Sequence, residues 1–193
     1  MLAKKKLSIT TKLKRLGACE EAVTFSKGFK SAQTAWDACE RGDWMLWLIG
    51  RKITCAPWTD GRKKILACAM DCAETAKNLW PAAKRDAIAG HMTTLRRWIK
   101  GKATTDEAIE ARQGLHDGGG TAAAGDIYAD AACDAVGAVA GDDVHESAYY
   151  AVAYYAVAYA AAAYGAGPKE AGRIKILKRC AVIVRKHFPK PPK

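Results

Sequence analysis

The sequence predicts an all-α protein, a single-domain bundle of about seven or eight helices around a central helix rich in alanine and tyrosine. Three observations lead there. Apolar residues recur at helical spacing through most of the chain. No segment alternates apolar and polar side chains under β-branched enrichment. Glycine, proline and capping residues fall between the periodic stretches. Half of the 193 residues are apolar, which excludes a disordered chain, and this length suits one core better than two.

Residues 1–10 form a basic arm containing Lys4, Lys5 and Lys6. A first helix is predicted from Thr11 to about Phe25, with Leu13, Leu16, Cys19, Ala22 and Val23 near one face, and Gly28 then loosens the chain. A second runs from Ser31 to Arg41. Gly42 suits the left-handed residue after its end, and Asp43 suits the cap of the next helix. That next segment, WMLWLIGRK, is apolar nearly all round and should be buried on most sides.

The loop CAPWTDG carries Pro57 and Gly61, and Asp60 is placed to cap a helix from Arg62 to about Trp80. Pro81 can open the following helix, which runs to Lys100 and stops at Gly101. Thr105, Asp106 and Glu107 begin a short acidic helix, and residues 114–121 form a glycine-rich loop. Two alanine-rich helices follow, separated by Gly141, Asp142 and Asp143. In the second, tyrosines at 149, 150, 154, 155, 159 and 164 spread over several faces, which suits a central position. Ser147 to Pro168 is uncharged, but alanine and tyrosine transfer poorly into lipid, so a core helix is expected there and no membrane span.

The last helix, from Lys169 to about Phe188, is amphipathic. Leu177, Cys180, Ala181, Val184 and Phe188 share one face, and Lys175, Lys178, Arg179, Arg185 and Lys186 share the other. Residues 189–193, PKPPK, form an extended basic tail.

The net charge of +11 is unevenly spread: residues 1–16 carry six cations and no acid, and residues 169–193 carry nine cations against Glu170. Residues 106–146 hold ten carboxylates and one cation, Arg112. This polarity fits either a surface that seeks an acidic partner or termini that pack beside the chain's own acidic segment. The start lacks the apolar run of a secretory signal, which points to the cytoplasm. Seven irregularly spaced cysteines are then expected as reduced, small core residues.

Motifs that carry chemistry are few. Cys68 and Cys72 stand one helical turn apart but lack the paired spacings of a zinc site, so burial is the expectation and no metal. Asp126, Asp130 and Asp134 form a carboxylate row among alanines, expected as a solvated or salt-bridged face. His91, His116, His145 and His187 lie beside no serine or cysteine nucleophile motif, and HDGGGT lacks the strand and lysine of a phosphate loop. No catalytic residue and no cofactor is therefore assigned. The cations of the last helix, the arm at Lys4, Lys5 and Lys6, and the cluster Arg62, Lys63, Lys64 are the candidate binding residues. They suit an acidic protein or, alternatively, nucleic acid phosphates.

The order TAWDACERGDWMLWLIGR, LACAMDCAETA, LRRWIKGKATTDEAIEAR, an alanine and tyrosine tract, then CAVIVRKHFPKPP resembles a family of all-helical bacterial and phage proteins described as immunity proteins. The resemblance spans roughly Ala35 to Pro192. It implies a non-enzymatic inhibitor that protects by stoichiometric binding to a toxin, a defence factor or a host enzyme, and it carries over no catalytic residue. The HDGGGT loop and the lysine-rich start depart from the family pattern. Within AWDACERGDW, Trp36 and Cys39 are expected on one helix side, and Arg41 is expected to reach back one turn to Asp37.

Overall fold

The computed structural model describes residues 7–53, 55, 56, 58–75, 77, 85–117 and 168–192. Among them are eight helices and no strand: α1 (Ile9–Arg15), α2 (Glu20–Ser26), α3 (Ala32–Ala38), α4 (Gly42–Lys52), α5 (Asp60–Glu74), α6 (Arg85–Ile99), α7 (Thr105–Asp117) and α8 (Pro168–His187). The all-α expectation holds. The alanine and tyrosine helices, the row Asp126, Asp130, Asp134, the helix-opening Pro81 and the arm residues Lys4, Lys5 and Lys6 lie outside the described residues.

Local chemistry sets the helix ends. Gly101, at φ +68°, stops α6 as expected. Its N–H bonds the Trp98 carbonyl at 2.9 Å and the Lys102 N–H reaches the Arg97 carbonyl at 2.8 Å, a paired closure that needs a left-handed residue. The same closure at Gly17, φ +80°, corrects the expected helix from Thr11 to Phe25, because it divides that stretch into α1 and α2. Ser31 and Thr34 bond reciprocally at the start of α3, and Thr104 and Glu107 do so at the start of α7. Thr59, not Asp60, occupies the cap position of α5. Asp60 is the first helical residue and pairs with Lys63 at 2.9 Å. α5 also ends earlier than expected, at Glu74, and α7 continues through Asp117 into the stretch read as a loop.

Packing follows the apolar faces. Leu177, Cys180, Ala181 and Val184 of α8, and Phe188 just after it, are buried as the periodicity predicts, and α8 packs on α4 and α5. From α5 the core continues to α6 through Ile88, Met92, Leu95 and Trp98, and α6 packs on α7 over Ala108 and Ala111. Each of the large apolar side chains contributes about 1.5–3 kcal/mol on full burial. α4 is buried through Met45, Leu46, Ile49 and Gly50, while Trp44, Trp47 and Leu48 stay half-buried on the side away from the core centre. Among the described residues no helix is long and apolar enough to cross a membrane.

Candidate interaction face and aromatic pocket

The corner where α3, α4 and α8 meet explains AWDACERGDW. Gly42 does not follow a helix end in the left-handed region; it is the first residue of α4 and lies against the α8 backbone. A Cβ there would sit 2.5 Å from the Cys180 Cβ and 2.7 Å from the Ala181 nitrogen, so only glycine permits this approach. Asp43 does not cap. Its side chain is buried, 1% exposed, and accepts from Arg41 Nε at 2.9 Å and from Nη2 at 2.5 Å. Arg41 thus holds Asp43, not the expected Asp37, which accepts from Gln33 Nε2 at 2.8 Å. The Arg41 guanidinium also lies 4.3 Å from the Trp44 ring centroid. Trp36 and Cys39 share a buried side as expected, and the Trp36 indole N–H donates to the Phe188 carbonyl at 2.9 Å.

The five cations proposed on α8 separate into two groups. Arg185 is half-buried and turns into the corner, donating to the carbonyls of Cys39 at 2.6 Å and Trp36 at 3.4 Å. The Cys39 carbonyl lies where α3 has ended and α4 has not begun, and the Trp36 carbonyl sits in the last turn of α3, where it also accepts the Cys39 N–H at 3.3 Å, so the guanidinium caps the end of α3. Lys175, Lys178, Arg179 and Lys186 stay exposed. They stand one or two helical turns before and one turn after Val182, which is itself 61% exposed, and Ile174 adds a second exposed apolar side chain on the same helix. Lys178 also meets Glu40 at 2.8 Å, an exposed pair of small energetic weight.

The cluster Arg62, Lys63, Lys64 serves the fold. Arg62 is buried, the Lys63 ammonium lies 5.1 Å from the Trp98 ring centroid, and that of Lys64 lies 4.9 Å from the Phe188 ring centroid. Cys68, Cys72 and Cys180 are fully buried together. The two neighbouring thiols and burial push the Cys72 thiol well above its usual range, so it stays protonated and a weak nucleophile.

Beside the outer face of α8, charges from three helices meet. Arg96 of α6 bonds Glu74 and, at 3.2 Å, Asp71 of α5, and the other Asp71 oxygen faces His187 Nε2 of α8 at 2.8 Å. The Glu74 hydrogen bond is the main reason that the Arg96 guanidinium holds its proton more tightly than usual. Both acids at this margin are therefore already paired, and among the described residues Lys77, Lys175, Arg179 and Lys186 nearby have no ion pair.

A second feature escapes linear reading. α1, α2, α3 and α4 enclose a pocket of about 420 Å³, walled by Leu13, Phe25, Trp36, Trp44, Trp47 and Leu48. The walls come from four helices, the Gly17–Cys19 connection and Pro191 after α8, and share no motif; the sequence signal is the unusual tryptophan density between Trp36 and Trp47. No family profile, curated protein or solved structure matches the chain.

Proposed function

We propose that the chain acts by stoichiometric binding of an acidic protein partner through the outer face of α8, in the manner of an immunity-type inhibitor and without catalysis of its own. The observation that supports this is the exposed Val182 set among Lys175, Lys178, Arg179 and Lys186. An apolar centre rimmed by cations has the anatomy of a protein interface, since the centre excludes water and the rim steers and orients the partner. Phosphate binding would use the cations and leave Val182 without a role.

The test uses a protein captured from the native host and then purified. Its binding to the chain should be saturable at one-to-one stoichiometry and lost when Lys175, Lys178, Arg179 and Lys186 are all changed to glutamate, with Arg185 kept because it supports the corner. An unchanged Kd for that fourfold variant would refute the reading. Random-sequence duplex DNA supplies the other arm. Saturable binding whose log affinity falls against log salt with a slope of about −3 to −4, as expected for about four neutralised phosphates, would replace the protein partner by nucleic acid.

A further inference from the structure

The pocket between α1 and α4 has features of a built ligand site, and it involves none of the outer-face residues of α8. Its volume of about 420 Å³ falls within the range of small-molecule sites and would hold about fourteen water-sized atoms. Its walls are three indole rings, one phenyl ring and aliphatic side chains, so an apolar body is what it can desolvate favourably.

The polar groups in the lining are largely committed to the fold. The Ser26 hydroxyl donates to the Val23 carbonyl at 2.7 Å and lies 3.1 Å from the Thr10 hydroxyl, and the Trp36 N–H is bonded to Phe188. Cys19 contributes a thiol whose pKa is raised further, mainly by partial burial. Among the described lining side chains Arg51 is the ionised one, and it is exposed, with its guanidinium 5.8 Å from the Trp47 ring centroid. No carboxylate among the described residues lines the pocket to oppose it. Among the described residues Arg51 has no ion pair.

We infer that this pocket binds a single-headed anionic amphiphile, an apolar body of about a dozen carbons whose carboxylate meets Arg51 at the mouth. The apolar lining and the one cation of its described residues together select that class. A neutral apolar molecule would leave Arg51 unused, and a polyanion would have nothing to pair its further charges.

Dodecanoate, below its micelle concentration, is a direct probe. Calorimetry should show saturable one-to-one binding, accompanied by a change in tryptophan emission because Trp36, Trp44 and Trp47 line the site. Arg51→Gln, at an exposed position, should weaken dodecanoate at least tenfold, as expected for loss of a charge-assisted contact, and leave dodecanol binding unchanged. Ala32→Trp, also exposed and lining the pocket, should block both ligands without unfolding the chain. The fourfold glutamate variant of α8 should bind dodecanoate like the unmodified chain. Absence of saturable binding, equal affinity in Arg51→Gln, or loss of binding in the α8 variant with retention in Ala32→Trp would each overturn the inference.

Discussion

The two sides of α8 carry similar residue types to different ends. Its inner side presses Cys180 and Ala181 onto Gly42 and sends Arg185 to the carbonyls of Trp36 and Cys39. Its outer side holds Lys175, Lys178, Arg179 and Lys186 in solvent around Val182. A described cation on this helix is thus either a structural hydrogen-bond donor or a solvent-exposed charge, decided by whether backbone acceptors at a helix end face it. Positive charge alone does not mark an interface.

The largest effect should come from closing the one place where the inner side admits no atom. In Gly42→Ala the added Cβ would meet backbone and Cβ atoms of α8 at under 3 Å, and backbone cannot yield cheaply. A loss of about 3 kcal/mol or more is expected in denaturant unfolding, as for strong overpacking. A loss under about 1 kcal/mol would show that α4 and α8 can part easily.

Arg41→Ala tests the same corner through charge. It leaves the Asp43 carboxylate, 1% exposed, without its bidentate partner, and about 3 kcal/mol should be lost. The double variant Arg41→Ala with Asp43→Ala should recover part of that loss, because the buried carboxylate is then gone. A double variant as unstable as the single would assign the corner's stability to packing.

The comparison becomes sharpest between neighbours. Arg185→Ala removes charge-assisted bonds to two carbonyls and should cost about 1.5–3 kcal/mol, whereas Lys186→Ala should stay within about 0.5 kcal/mol. If the two melt alike, the inward role of Arg185 is wrong, and it belongs with the outer cations.

These contrasts show what the sequence exposes and what it hides. The buried face of α8 follows from period alone, since Leu177, Cys180, Ala181, Val184 and Phe188 fall where a helix must bury them. Gly101 is legible because a glycine after a periodic stretch usually closes a helix. Gly17 obeys the same physics but sits among residues whose pattern continues across it, so the break is masked. Gly42 misleads for the opposite reason: its role lies in a helix distant along the chain, and local rules favour a turn. Arg185 and Lys186 are adjacent cations that composition cannot separate, and the pocket draws its walls from four helices at once. Distance along the chain is what removes such features from view.

The Trp36 bond to the Phe188 carbonyl spans 152 positions, and the Gln33 bond to the Pro189 carbonyl spans 156. During synthesis, α3 and α4 leave the ribosome with this corner unfinished, and Gly42, the Trp36 indole N–H and the Cys39 carbonyl wait in water until α8 arrives. Contacts of such long range slow closure of a chain, because loop entropy must be spent before they form. At about 5–20 residues per second, the wait is on the order of ten seconds. For that interval the half-made corner is a natural client for chaperones and a point where proteolysis can compete with folding.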